Sequence, residues 1–360
     1  MGPMRVARQV LASACLLAAA ALVLGCGGSE DSETTGSTPG TAESRPAPSR
    51  AGFPEPRGRT LKEVMQLGDR PAELRIEPSA MVFYEGENRY PFGVSKRDET
   101  EVTDAEVAIY YSRVPPVRPG ARSKSGNKGQ VTKAEARALE EPAIGPFPAR
   151  IESLAADPEF RGRVEAGLPE PKRVVYAVDL EFPSEGTWRI AALVKEGDEL
   201  NGTLLPGAEV GEFEQVPRPG QPAPRIETPT VEEVGGDLSK ITTRTPPDTQ
   251  NEVDYADALG KEPIVLLFAS PRFCQSRACG PMVDATEQAK HEYGDEAAFI
   301  HMEIYNHNDP ADGVRPQVRG FHLPSELWLF TIDREGIVRA AVEGAFGSAL
   351  LDESIEKALR

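Results

Sequence analysis

The sequence predicts two folded parts in series, a mainly-β, sandwich-like domain and then an α/β domain whose mixed sheet is flanked by helices. Three observations carry this. Short β-branched and aromatic runs broken by turn residues fill residues 59–216. A proline-rich stretch at 217–257 ends that pattern, because proline suits neither a central strand nor a helix interior. From residue 258 apolar strands alternate with amphipathic segments, the order of an α/β domain.

Ahead of both parts lies a segment with a different character. Arg5 and Arg8 precede an apolar run, Val10 to Leu24, and then Gly25-Cys26, which is the order of an export signal. The run is shorter than the roughly 20 residues needed to span about 30 Å of hydrocarbon, so residues 1–25 read as a cleaved signal and not as an anchor. Val23-Leu24-Gly25-Cys26 resembles a bacterial lipobox. That resemblance implies a bacterial lipoprotein with palmitate-type acyl chains on Cys26, held at the extracytoplasmic face of the cell membrane. The other reading is a plain signal peptide with Cys26 incidental. Residues 26–58 are rich in Pro, Ser, Gly and Thr and are expected to form a disordered tether.

Charge and cysteine usage narrow the function. With 57 acidic against 40 basic residues the net charge is −17, which argues against a nucleic-acid partner. Of four cysteines, Cys15 lies in the signal and Cys26 is the lipid site, leaving Cys274 and Cys279 for the folded part. One close pair is too few for a disulfide-stapled small fold. It reads as a redox pair or a local clip.

In the β-rich part the predicted strands are Ala80–Tyr84, Tyr90–Val94, Val107–Tyr111, Val174–Phe182, Trp188–Val194 and Gly211–Val216. The fourth and fifth flank Pro183-Ser184-Glu185-Gly186 and form a hairpin. Small helices are expected at Lys133–Glu140, Ile151–Ala155 and Phe160–Val164, and a polar exposed loop at Ala121–Gly129. Phe182-Pro183-x-x-Gly186-x-Trp188 before a strand resembles bacterial extracytoplasmic immunoglobulin-like modules. With no His, no Cys and no metal-ligand spacing, this part is read as a spacer or partner-binding domain. The following Gly220-Gln221-Pro222-Ala223-Pro224 suits either an extended cover on the next domain or a stiff spacer.

The last part reads strand Ile264–Ala269, cysteine segment, helix Met282–Tyr293, strand Ala298–Ile304, short helix Pro316–Gly320, strands Glu326–Ile332 and Ile337–Val342, and a final helix from about Leu350 to Leu359. This succession resembles the thioredoxin-like superfamily over about residues 258–360. A strand feeds a Cys at a helix start, Leu323-Pro324 stands where that family has its substrate-facing cis-proline, and a hairpin and helix close the domain. The Cys-x4-Cys-Gly-Pro motif departs from the family's two-residue spacing and allows two registers. Either Phe273-Cys274 replaces Trp-Cys with Arg277 at the second cysteine position, or Cys279-Gly280-Pro281-Met282 replaces Cys-Gly-Pro-Cys.

The second register, which is the one favoured, places Cys279 at a helix N-terminus, where unpaired N–H groups and nearby Arg277 favour a thiolate. It makes Cys279 the attacking and Cys274 the resolving residue, with Gly280, Pro281, Arg277, Leu323 and Pro324 as the substrate surface. The resemblance implies a membrane-tethered thiol-disulfide oxidoreductase acting on protein thiols or disulfides, with a membrane redox partner and no cofactor. The competing readings are a noncatalytic binding or assembly lipoprotein with a structural Cys274–Cys279 disulfide, and a copper-handling protein of the same fold drawing on His322. No resident metal is expected.

Overall fold

The computed structural model describes residues 42–115, 133–163 and 170–360. The signal, Cys26 and the loop expected at 121–129 lie outside the described residues. Thr41–Arg360 forms one compact unit. Among the described residues no helix is long and apolar enough to cross a membrane.

The β-rich half runs β1 (Arg70–Pro71), β2 (Arg75–Pro78), β3 (Gly86–Ser95), β4 (Glu106–Arg113), β5 (Ile144–Pro148), β6 (Arg150–Ser153), β7 (Val174–Phe182), β8 (Gly186–Glu196) and β9 (Glu199–Val210), with short helices α1 (Leu61–Met65) and α2 (Lys133–Ala138). One sheet has the order β1-β9-β8-β4-β5 and the other β2-β3-β7-β6. Their facing side chains share one core, in which Phe92 stacks on Tyr176 at 5.5 Å and Phe182 and Tyr111 pack around Trp188. The β7–β8 hairpin turns where the Pro-Ser-Glu-Gly sequence requires it, with Gly186 at φ 114°.

Four expectations are corrected here. Ala80–Tyr84 is not a strand, because the N–H groups of Met81 and Val82 are taken by the Glu343 carboxylate instead of a ladder. Gly211–Val216 forms a turn, and the strand lies before it as β9, whose Asn, Gly and Pro residues hide its pairing with β8. Ile151–Ala155 is no helix: Arg150–Ser153 pairs with β7 as an edge strand, and Pro158–Phe160 is a single 3₁₀ turn. The polar tether expected to residue 58 is laid onto the fold from residue 45. Arg45 exchanges backbone hydrogen bonds with Ile151, and Phe53 is buried with Leu61 and Tyr110.

The C-terminal half contains β10 (Ile264–Phe268), β11 (Ala298–Met302), β12 (Trp328–Ile332) and β13 (Val338–Glu343), with α3 (Tyr255–Ala258), α4 (Cys279–Tyr293), α5 (Pro316–Gly320) and α6 (Ser348–Leu359). Its sheet order is β11-β10-β12-β13. β10 pairs parallel with β11 and antiparallel with β12, and β12 and β13 form the closing hairpin. All five side chains of β10 are buried because helices cover one face and the Phe321–Phe330 cluster the other. The arm between the halves runs along this sheet as an extended cover: Gly220 N–H donates to Val338 O at 2.8 Å and Val338 N–H to Gln221 O at 2.9 Å.

The halves also meet through the back of β7. Val174, Tyr176 and Val178 face the first core, whereas Val175 joins Leu154 in the core that holds Met282 and Phe346. Arg89 clamps the same boundary, donating to Glu152 Oε2 at 2.7 Å and to Ala345 O at 2.8 Å.

Candidate redox site

The cysteine segment leaves the end of β10 as a tight loop and enters α4 at Cys279. Arg277 sits at φ 59°, which turns the chain back on itself, and its N–H donates to Cys274 O at 3.1 Å. The loop brings the cysteines to a Cα separation of 5.9 Å, within the range a disulfide spans, and Cys274 and Cys279 are bonded.

The two sulfurs differ in surroundings. Cys279 is fully buried among Leu154, Val175, Met282 and Leu327, two of which come from the β-rich half. Cys274 is partly exposed and lines a cavity of about 110 Å³. Its sulfur accepts the Cys279 N–H at 3.2 Å and the Ser276 hydroxyl at 3.2 Å, the hydroxyl being the donor because a disulfide sulfur carries no proton. This reverses the accessibility that an attacking Cys279 needs. The helix start does carry Cys279 followed by buried Met282, but Cys279 belongs to the core while the loop before it leaves Cys274 partly exposed.

Of the expected substrate surface, Gly280, Pro281 and Arg277 line the cavity with Cys274. Leu323 and Pro324 line a second cleft of about 620 Å³ between the halves. The cis peptide bonds among the described residues are Gly145–Pro146 and Thr245–Pro246, so Leu323–Pro324 is not one of them. The residue abutting β12 is instead Leu327, buried at φ 75° in the core that holds Cys279. His322 is exposed, and among the described residues no group of three or more His, Cys, Asp or Glu is placed to hold a metal.

Sequence reading missed the polar network beneath the loop. Arg244, from the arm, donates from Nε to Asp284 Oδ1 of α4 at 2.8 Å and from Nη1 to Pro246 O. Burial raises the Asp284 pKa and Arg244 pulls it back only in part. Deeper, His301 of β11 pairs with Asp248 at 2.9 Å and donates from Nε2 to Ala269 O at 3.1 Å, directly before the loop. Burial opposes a charged His301, but Asp248 outweighs it and lifts the imidazole to about 9. Both pairs join residues of the arm to α4 or β11. No local motif announces them, since Arg244 and Asp284 stand forty residues apart.

No protein-family model matches the chain, and no curated protein matches it. Among solved structures it is similar to a thiol:disulfide interchange protein of the thioredoxin family from Chlorobium tepidum TLS, at 18% identity and a TM-score of 0.28, over 40% of this chain and 98% of that one. It is also similar to a putative thiol:disulfide interchange protein DsbE from Chlorobium tepidum, at 19% identity and a TM-score of 0.26, over 40% and 99%. At that identity and score neither likeness decides what the chain does.

Proposed function

We propose that the protein is a thiol-disulfide oxidoreductase of the thioredoxin-like class, lipid-anchored through Cys26 on the extracytoplasmic face of the membrane, acting on protein thiols or disulfides. The observation that carries the reading is the unequal disulfide: one partly exposed sulfur, Cys274, receives the N–H of the residue that starts a fifteen-residue helix, and one sulfur, Cys279, is buried. In the reduced protein those donors stabilise a thiolate on Cys274. Cys274 is the residue that attacks and forms the mixed disulfide, and Cys279 is the one that resolves it. The β-rich half serves as a sandwich-like module that seats the redox half.

A second reading rests on the clamping of the loop. Lys172 N–H donates to Arg277 O at 3.0 Å and Arg277 Nη2 to Glu99 O at 3.2 Å, so the β-rich half holds the disulfide loop from outside. A permanently closed clip in a binding lipoprotein needs the same clamps.

Trapping separates the two. Incubated with a disulfide-bonded protein, the full chain carrying Cys279→Ser is expected to accumulate a mixed disulfide through Cys274, whereas Cys274→Ser is not. Mass-tag titration of the wild type should show a reversible transition within about −120 to −270 mV. A pair still oxidised below about −300 mV is a structural clip.

A further inference from the structure

The cavity beside Cys274 is cationic in a protein whose overall charge is −17. Arg163 and Arg277 line it, while its acidic residue Asp284 is already taken by Arg244. Arg163 is exposed, and Arg277 spends one guanidinium N–H on a backbone carbonyl, not on a carboxylate.

Behind the same loop stands Lys172, bonded through its backbone to Arg277. Its side chain is 8% exposed and its Nζ has no hydrogen-bond partner. Glu77, Glu99 and Glu101 lie in its field without pairing with it, and Glu101 is bound to Arg173. Burial, and then the neighbouring Arg277, hold the lysine below the usual range. Lys172 lines the neighbouring cleft and not this cavity, so an anion beside Cys274 meets it only as a field from behind the loop.

Resting on the oxidoreductase reading, we infer that Arg163 and Arg277, which line the cavity with Cys274, select substrates carrying a carboxylate next to the reacting thiol or disulfide. In one turnover the Cys274 thiolate attacks the substrate disulfide, forming a mixed disulfide and expelling one substrate thiolate. Cys279, as thiolate, then attacks the Cys274 sulfur and expels the second. Two electrons pass from protein to substrate, and the two protons of the protein dithiol end on the substrate thiols or in solvent. The carboxylate stays near the cations throughout and takes no part in the bond changes.

The test is stopped-flow oxidation of the reduced full chain by three disulfides of different charge: dianionic 5,5′-dithiobis(2-nitrobenzoate), neutral 4,4′-dithiodipyridine and dicationic cystamine. Each rate is divided by that of a small neutral thiol with the same probe. The normalised rate for the anion is expected to exceed that for the cation by about tenfold or more. The ratio should shrink in about 0.5 M salt and in Arg163→Gln. A second arm compares oxidised glutathione with peptide disulfides flanked by Glu or by Lys. Preference for glutathione assigns the carboxylate to small acidic disulfides, and preference for the Glu peptide assigns it to protein segments. Fast reaction without charge preference overturns the inference alone. No reaction with any probe overturns the oxidoreductase reading and the inference with it.

Discussion

The β-rich half and the C-terminal half are built on different kinds of core. Between its two sheets the first packs aromatic rings: Tyr90, Phe92, Tyr111, Tyr176, Phe182 and Trp188 meet at centroid distances of 5.3 to 6.2 Å. The second is aliphatic and phenylalanine-rich around β10, and beneath its cysteine loop it buries two ion pairs, Arg244–Asp284 and Asp248–His301. Apolar packing tolerates small shifts, whereas charged pairs out of water hold their partners to hydrogen-bond geometry. The difference teaches that the disulfide loop stands between two kinds of support: buried ion pairs from the arm and sheet beneath it, and backbone contacts from Lys172 and Glu99 of the β-rich half beside it.

Four substitutions test that contrast. Phe182→Ala empties the middle of the aromatic core and is expected to cost about 3–5 kcal/mol in denaturant unfolding, with thiol exchange by the folded fraction unchanged. Altered exchange would show that the aromatic core itself, and not only the contacts from Lys172 and Glu99, positions the disulfide loop. Arg244→Met leaves Asp284 buried without its partner and should cost about 3–4 kcal/mol. Adding Asp284→Leu should recover most of it, and a double variant no better than the single one would show that Arg244 acts mainly by donating to the backbone carbonyls of Pro246 and, from Nη2, of Phe160.

The other two effects are smaller and depend on pH. His301 is raised in the fold to about 9, so its contribution is complete below its ordinary 6.5 and is lost as pH rises through 9. His301→Gln is therefore expected to flatten the fall in stability between pH 7 and about 9.5, read from denaturant midpoints. An unchanged alkaline slope would mean a neutral imidazole. Glu343 accepts the Met81 and Val82 N–H groups and the Ser325 hydroxyl, yet burial lifts its carboxyl to about 7. An acid raised this way favours the fold below its ordinary pKa and weakens it as pH climbs from 4.5 to 7. Glu343→Gln should gain about 1 kcal/mol at pH 8 relative to pH 5, measured by thermal unfolding. A loss at both pH values would show that the carboxylate, not its charge cost, dominates the junction.

Local patterns made much of the C-terminal half legible. The continuous apolar run Ile264–Ala269, the closing hairpin and the helix after the cysteine segment each state their own conformation. The β7–β8 hairpin did so too. Strand β9 and the turn at Ala80–Tyr84 did not, because a partner far away in sequence decides them: β8 for the first and Glu343 for the second. At the site, both cysteines and Arg277 could be named from sequence. Their order of exposure could not, since Cys279 joins a core that takes in Leu154 and Val175 from another half of the chain.

The sequence by itself determined that one close cysteine pair precedes a helix and set the alternation of most strands, because these follow from backbone propensity and periodicity within a few residues. Only the tertiary structure decided that Cys274 and not Cys279 faces outward, that Lys172 stands unpaired behind the loop, and that Arg244 and Asp248 form ion pairs beneath it from the arm. Accessibility and charge compensation are sums over every segment that packs on a group, and no single stretch of sequence contains that sum.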